Sequence, residues 1–131
     1  MILLKISALS VNQAWQGRRF KTKKYKDYEE HLLLILPNKV SIPDGDILLV
    51  CEFGLSKAFD IDNAVKPFQD VLQKKYGFND NRITQLLLFK NVVKKGNQYI
   101  KFKMLKTKSE INFEMFWNNS KYDQNTLKIH F

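Results

Sequence analysis

The first third of the chain carries a strand pattern followed by a helix pattern. In residues 2–9, apolar side chains alternate with positions that tolerate polar ones, which is typical of a strand. Apolar residues then recur at helical spacing over residues 25–36, after Thr22, which can cap a helix, and before Pro37, which ends it. Residues 11–21 hold few large aliphatic side chains, and we predict a loop there.

The middle of the chain combines a buried strand with an amphipathic helix. Residues 47–55 are almost continuously apolar, as expected of a central strand buried on both faces. Residues 63–76 place their apolar side chains on one helical face. Pro67 lies inside this pattern, where a proline removes a backbone hydrogen bond, so we expect the regular helix to begin around Lys66 or Pro67.

The last part of the chain carries strand patterns only. Residues 83–93 are apolar, and residues 99–106 alternate between apolar and basic side chains. Residues 94–98 contain a glycine and an asparagine, and we predict a hairpin connection between these two strands. Alternation returns in residues 111–117 and 127–131, which indicates a possible C-terminal β-hairpin.

These elements predict a single α+β domain over residues 1–131, with residues 107–131 as a divergent C-terminal extension. The order is β-α-β-α-β-β plus the possible hairpin, which favours a two-layer structure with a mixed β-sheet. The single cysteine, Cys51, excludes an internal disulfide framework. No apolar run approaches the ~18 residues of a membrane span, and no signal-peptide pattern opens the chain. We therefore expect a cytoplasmic protein with no membrane partner.

The basic residues concentrate in two blocks around an acidic centre. The chain has 22 Lys and Arg residues against 13 Asp and Glu residues, a net charge of +9. Residues 1–26 hold seven basic residues and residues 81–109 hold eight, and neither block contains an acid. Residues 44–80 hold seven acids and four lysines. Basic blocks attract polyanions such as nucleic acid, although an ordinary lysine-rich surface gives the same total.

The candidate chemistry lies in the acidic centre. In an extended segment, residues i and i+2 point the same way, so Asp60 and Asp62 are expected to present two carboxylates on one side. Hard oxygen ligands of this kind suit Mg²⁺ or Mn²⁺. Lys66 follows Asp62 by about one helical turn, so its ammonium can approach the same phosphate. The alternative is that Asp62 or Asn63 only caps a helix, that Asp60 is a solvated loop residue and that Lys66 is an exposed helix lysine.

A longer pattern extends this centre. It consists of Asp60-Ile61-Asp62-Asn63-x-x-Lys66, Asp70-x-Leu72, Gly77-Phe78 and Asn79-Asp80 before Ile83. A second and less specific segment, Ser10 to Trp15, lies near the N-terminus and is followed by a basic stretch and Tyr25. In these residues the sequence resembles the RusA family of Holliday-junction resolvases, over about residues 2–106.

The resemblance implies a homodimeric, Mg²⁺-dependent endonuclease that cleaves four-way DNA junctions in recombination and repair, without a nucleotide cofactor. It implies that Asp60, Asp62 and Asp80 are the essential, metal-binding carboxylates and that Lys66 is the catalytic lysine. Asp70 also matches a family position.

The sequence departs from the family pattern at several positions. Asn79 stands where the first acid of the acidic turn is common, and the turn is shortened. Phe59 stands before the first aspartate, where a basic residue is frequent, and Lys57 is the nearest substitute. Pro67 follows the motif lysine. These departures bear on metal affinity and junction preference.

The candidate DNA contacts lie mostly near the N-terminus. They are Asn12, Arg18, Arg19, Lys23, Lys24 and Lys57. Basic side chains among them would neutralise phosphates, and Asn12 would order the loop. Trp15 could stack on an unpaired base or pack beneath the loop.

The three carboxylates pose a geometric difficulty. If residues 47–59 and 83–93 form parallel strands joined by the helix, Asp60 and Asp80 lie at opposite ends of the sheet. The second strand must then run otherwise, the turn over residues 77–81 must fold back, or the partner subunit must contribute. We expect the three carboxylates to cluster at one site.

Two other functions stay open beside the junction resolvase. A non-catalytic DNA-binding module would bind DNA without Mg²⁺-dependent nicking. A nuclease with the same chemistry could instead prefer flaps or forks. The two basic blocks around an acidic centre favour a nuclease over a protein that only coats DNA.

Overall fold

A computed structural model describes residues 1–16 and 20–114 of the chain. The strands are β1 (Ile2–Leu4), β2 (Trp15–Gln16), β3 (Phe20–Lys21), β4 (Ile47–Leu55), β5 (Ile83–Val92) and β6 (Tyr99–Lys106). The helices are α1 (Val11–Ala14), α2 (Lys23–Ile35) and α3 (Ile61–Tyr76). A short 3-10 helix, Asp80–Arg82, precedes β5.

The main sheet is mixed, with strand order β1-β6-β4-β5. Strand β4 runs parallel to β5 and antiparallel to β6, and β1 pairs antiparallel with β6. In β4 every side chain except Val50 and Glu52 is buried, which agrees with the prediction of a central strand. The predicted α+β domain with a mixed sheet is confirmed.

The connection between β5 and β6 differs from the predicted hairpin. These strands are not neighbours, because β4 lies between them. The chain after β5 therefore passes the end of β4, where the Val93 amide donates to the Leu55 carbonyl at 2.8 Å. Residues 94–98 contain a turn, but this turn connects two strands that pair with opposite sides of β4.

The core lies between one face of the sheet and the helices. Phe68 of α3 packs edge-on against Phe53 of β4 and Phe102 of β6, with ring centroids 6.1 and 5.2 Å apart. The apolar face predicted for α3 is buried: Ala64, Val65, Phe68, Val71 and Leu72. The alternation predicted for β6 also holds, because Ile100, Phe102 and Met104 are buried. Cys51 belongs to this core, and burial raises the pKa of its thiol to about 12.

Helix α2 begins and ends where the sequence predicts. The Thr22 hydroxyl accepts a hydrogen bond from the Tyr25 amide at 3.1 Å, which satisfies one of the unpaired donors of the first turn. The helix ends at Ile35, two residues before Pro37. Tyr25, Tyr28 and Leu32 form its buried face.

Helix α3 begins earlier than predicted and includes its proline. It starts at Ile61, so Pro67 lies in its second turn rather than at its beginning. Pro67 has no amide to donate to the Asn63 carbonyl, and this normally destabilises a helix interior. Tertiary packing outweighs the local preference here, since Pro67 is itself buried beside the apolar face of α3.

Two further segments differ from their predictions. Residues 11–21, predicted as a loop, contain the one-turn helix α1 and the paired strands β2 and β3. Ile111 and Phe113 are predicted to lie in a strand, but Ile111 lies in a bend and Phe113 is helical. The rest of the possible C-terminal hairpin falls on residues 115–131, outside the described residues. Within the described part of the chain, no helix is both long enough and apolar enough to cross a membrane.

Candidate functional site

The first two carboxylates lie at the beginning of α3. Asp60 occupies the N-cap position in an extended conformation, and its side chain makes no capping hydrogen bond. Asp60 is exposed, as the alternative of a solvated residue expects. Asp62 is already the second helical residue, so the rule that places i and i+2 on one side of an extended chain does not apply to this pair.

Lys66 lies on the same helical face as Asp62 and Asp70, because the three residues are four apart. Its ammonium pairs with Asp70 Oδ1 at 2.9 Å and donates to Asp80 Oδ2 at 3.1 Å. The hydrogen bond to Asp70 and then that to Asp80 outweigh partial burial and raise the pKa of Lys66 above 10.5. Lys66 is therefore a cation at neutral pH, suited to stabilising negative charge and not to accepting a proton.

Asp80 reaches Lys66 because the chain folds back after α3. Gly77 adopts a left-handed conformation with φ of 73° and ends the helix, and its amide donates to the Gln73 carbonyl at 2.8 Å. Phe78 then buries its ring in the core. The Asn79 side chain accepts from the Asn81 amide at 3.1 Å and caps the 3-10 helix that begins at Asp80.

Arg82 fixes the other end of this turn. Its guanidinium donates to the carbonyl of Gly45 at 2.9 Å and also to that of Pro43. Arg82, counted in the second basic block, is thus engaged with the loop before β4. This anchoring holds Asp80 beside α3. Among the alternatives that the sequence left open, the turn over residues 77–81 does fold back, and it brings Asp80 into contact with Lys66.

The described residues of one chain do not bring Asp60, Asp62 and Asp80 into the expected cluster. Among residues 1–16 and 20–114, no group of three His, Cys, Asp or Glu side chains could hold a metal ion. Asp60 follows the end of β4 while Asp80 precedes the beginning of the parallel strand β5. The turn after α3 brings Asp80 only to Lys66, which lies roughly 9 Å along the helix from Asp60.

The carboxylates present still suit Mg²⁺ in a different arrangement. Mg²⁺ in proteins is commonly held by one or two carboxylates together with waters and substrate phosphates. Asp60 and Asp62 provide such oxygens at the beginning of α3, and capping does not use the Asp60 side chain. The donor chemistry therefore fits a metal completed by a substrate phosphate.

Lys90 is a residue of this region that sequence reasoning missed. From β5 its ammonium donates to the carbonyls of Lys57 and Phe59, at 2.9 and 2.6 Å. These carbonyls belong to the turn directly before Asp60, so Lys90 holds that turn in place. The available signal was a lysine that directly follows the apolar run Leu86-Leu87-Leu88-Phe89.

Four of the predicted DNA contacts can be placed. Asn12 lies on α1, and its backbone amide donates to the Ser10 hydroxyl at 3.2 Å. Lys23 and Lys24 are exposed in the first turn of α2. Lys57 is exposed in the turn after β4. Arg18 and Arg19 lie outside the described residues.

Trp15 lies at the edge of a cleft between α2 and α3. Its side chain is 37% exposed, and its ring centroid lies 5.9 Å from that of the buried Tyr25. The cleft, of about 700 Å³, is also lined by Lys66 and Asp70. Trp15 thus packs partly against Tyr25 of α2 and keeps an exposed portion beside the candidate site.

Neither protein-family models nor curated protein sequences gave a match to this chain. The resemblance to the RusA family therefore depends on the residues quoted from the sequence.

Proposed function

We propose that this protein is a Mg²⁺-dependent, structure-specific endodeoxyribonuclease that resolves four-way DNA junctions. The ion pair between Lys66 and Asp80 carries the proposal, because it joins the two parts of the RusA-like pattern that lie 14 residues apart. The contact of Lys66 with Asp70 is an ordinary i,i+4 pair within α3, whereas the contact with Asp80 requires the chain to fold back after the helix.

The side chains around Lys66 have distinct roles in this proposal. Asp60 and Asp62 provide oxygen ligands, and with Mg²⁺ bound the site gains a Lewis acid for the phosphate oxygens. Lys66 remains protonated because its pKa is raised, and it stabilises negative charge that develops on the phosphate. Asp70 and Asp80 orient the Lys66 ammonium, and Asp80 keeps Oδ1 outside that contact.

Charge at the beginning of α2 supports DNA as the substrate. Lys23 and Lys24 occupy the first turn of this helix, which holds no acid. Cations there oppose the positive end of the helix dipole, so their position lowers helix stability slightly. An anion bound at this end relieves that repulsion, and a DNA phosphate is an anion of the required kind.

The proposal includes a homodimer with two sites, which would allow paired cleavage of opposite strands. The edge strand β5 supports association, because it exposes Leu86, Phe89 and Val92. A second chain could also bring its carboxylates to the first one.

Replacement of Asp62 by Asn tests the assignment of the site. We expect Asp62→Asn to reduce junction cleavage by at least about 100-fold, since it removes a charged ligand from the metal, while DNA binding persists or improves. The matched control is Asp44→Asn, at an exposed turn residue outside the site. Cleavage by Asp62→Asn at the rate of the control variant would refute the assignment.

A DNA-binding module without catalysis is the second candidate. It is favoured by the absence of a three-carboxylate group among the described residues of one chain. It predicts that Lys66 serves only as a partner for Asp70 and Asp80. Junction binding without nicking in Mg²⁺ would support it.

A further inference from the structure

We infer that the cleft between α2 and α3 binds an unpaired nucleobase of the DNA substrate, stacked on Trp15. This inference rests on the proposed function and adds a means of selecting branched DNA. The cleft of about 700 Å³ falls within the size range of small-molecule pockets, roughly 300–1,000 Å³. Its aromatic lining comes from Trp15, Tyr25 and Phe78.

Trp15 is the ring in this cleft that offers a surface for stacking. Tyr25 is 1% exposed, and the Lys21 ammonium lies 4.8 Å from its ring centroid. Phe78 is 6% exposed and packs in the core. The tryptophan, at 37% exposed, keeps part of its ring open. Stacking of a base on such a ring is tolerant of sequence, because every base has an aromatic face.

The charges in the cleft favour a base over a phosphate. Glu29 accepts from Lys21 at 3.1 Å and also from Lys74, and Asp70 pairs with Lys66. Burial alone would raise the pKa of Glu29, but the hydrogen bonds from Lys74 and Lys21 outweigh it and lower this pKa below 4.5. The Lys21 and Lys74 ammonium groups thus share the Glu29 carboxylate, and a phosphate in this part of the cleft would have to displace it. A neutral base would not have to displace this carboxylate.

The walls of the cleft are held in place independently of any ligand. Lys75 donates to the Leu33 carbonyl at 3.0 Å and Tyr76 donates to the Pro37 carbonyl at 2.7 Å, so α3 is tied to the end of α2. Thr22 donates to the Gln13 carbonyl at 2.6 Å, which ties the beginning of α2 to α1 next to Trp15. A preformed cleft of this kind loses little freedom on binding.

The position of the cleft links base binding to cleavage. Lys66 lines the cleft and also belongs to the candidate site, so a nucleotide next to the phosphate at Lys66 would place its base against Trp15. Bases inside a duplex are paired and stacked, so moving one out requires that both interactions are broken. A base at a branch point is already less constrained. The cleft would therefore favour branched DNA over duplex DNA.

Photocrosslinking tests the inference without requiring catalysis. The probe is a four-way junction with 5-iodouracil at the branch point, compared with the same base placed within an arm, both bound to the full chain in EDTA. We expect the branch-point probe to form an adduct that peptide mass spectrometry maps to Trp15, and the arm probe to form none. Adducts that map only outside the cleft, from a complex that does form, would overturn the inference.

Substitutions provide a second readout. We expect Trp15→Ala to weaken junction binding by roughly 5- to 100-fold while duplex binding changes little, and Trp15→Phe to restore most of the loss. Leu34→Ala, at an exposed apolar residue of α2, is the control and should leave the junction-to-duplex ratio unchanged. Equal losses on junction and duplex for Trp15→Ala would overturn the inference.

The results separate this inference from the proposed function. A crosslink at Trp15 without Mg²⁺-dependent cleavage upholds base binding and overturns the nuclease proposal. Mg²⁺-dependent cleavage of junctions with no crosslink in the cleft upholds the nuclease proposal and overturns base binding. Failure to bind branched DNA overturns both.

Discussion

At the scale of single residues, Lys66 organises the candidate site. It holds Asp70 and Asp80 at about 3 Å, and these contacts stabilise its protonated form. Because the pKa of Lys66 is raised, this stabilisation is fully present below 10.5 and is lost as the pH rises through the raised value. The ammonium therefore persists throughout the neutral range in which a nuclease would act.

The sequence singled out the residues of the candidate site but not their contacts. Asp60, Asp62, Lys66 and Asp80 follow from the residue types and from the resemblance. The ion pair of Lys66 with Asp80 depends on the fold-back at Gly77 and on the burial of Phe78, which are tertiary features. Lys90 escaped notice because its acceptors are backbone carbonyls about 30 residues away.

Lys90 provides a test of how the turn before Asp60 is positioned. We expect Lys90→Met, which keeps the apolar stem but removes the donors, to lower cleavage by about 10-fold and to raise the Mg²⁺ concentration needed for half-maximal activity. The reason is that groups behind metal ligands typically affect metal affinity or activity by about 10- to 100-fold.

Lys94→Met, at an exposed residue after β5, is the control for this variant. Circular dichroism would establish that both variants fold. An unchanged Mg²⁺ requirement for Lys90→Met would show that Lys90 does not position Asp60.

At the scale of elements, local patterns predicted most helices and strands but not their boundaries or partners. The boundaries of α2 follow from Thr22 and Pro37, and the buried face of β6 follows from its alternation. The beginning of α3 did not follow, because packing of Pro67 and its neighbours overrides the local cost of a proline. The β2–β3 pair and α1 gave too short a signal in residues 11–21.

The pairing of β4 with β6 depends on close contact between Gly54 and Tyr99. These residues are register partners, and a Cβ atom on Gly54 would lie 2.4 Å from the Tyr99 ring. The ring is also fixed at its hydroxyl, which donates to Glu52 at 2.7 Å and accepts from Asn91 at 2.8 Å. The ring therefore cannot move away without breaking these bonds.

We expect Gly54→Ala to lower the free energy of unfolding by about 1–3 kcal/mol, because the added methyl group overpacks this contact. Urea denaturation followed by circular dichroism measures the change. The same substitution in a Tyr99→Ala background should cost much less, since the ring is gone. An equal cost in both backgrounds would mean that the ring contact is not the cause.

At the scale of the whole molecule, the fold class followed from the sequence but the strand order did not. An α+β arrangement follows from the succession of patterns. The placement of β6 between β1 and β4 is set by pairings far apart in the chain, which local periodicity does not encode. The same limit explains why the separation of Asp60 from Asp80 could be posed as a difficulty but not decided from the sequence.

The edge strand β5 provides the test of the proposed dimer. An edge strand with exposed apolar side chains is a common site of association, and Phe89 there is 55% exposed. We expect the protein to sediment as a dimer and Phe89→Glu to shift it to the monomer. Leu34→Glu, at a residue 79% exposed on α2, is the control and should remain dimeric. A monomeric parent protein under conditions of cleavage would contradict the dimer.

We propose that the acidic centre within the basic chain makes the protein a metal-dependent nuclease for branched DNA. The most direct measurement incubates the protein with a synthetic four-way junction, a flap and a linear duplex, each with and without Mg²⁺. We expect paired nicks in the junction only when Mg²⁺ is present, with little cleavage of the duplex. Binding of the junction with no nicking in Mg²⁺ or Mn²⁺ would contradict it.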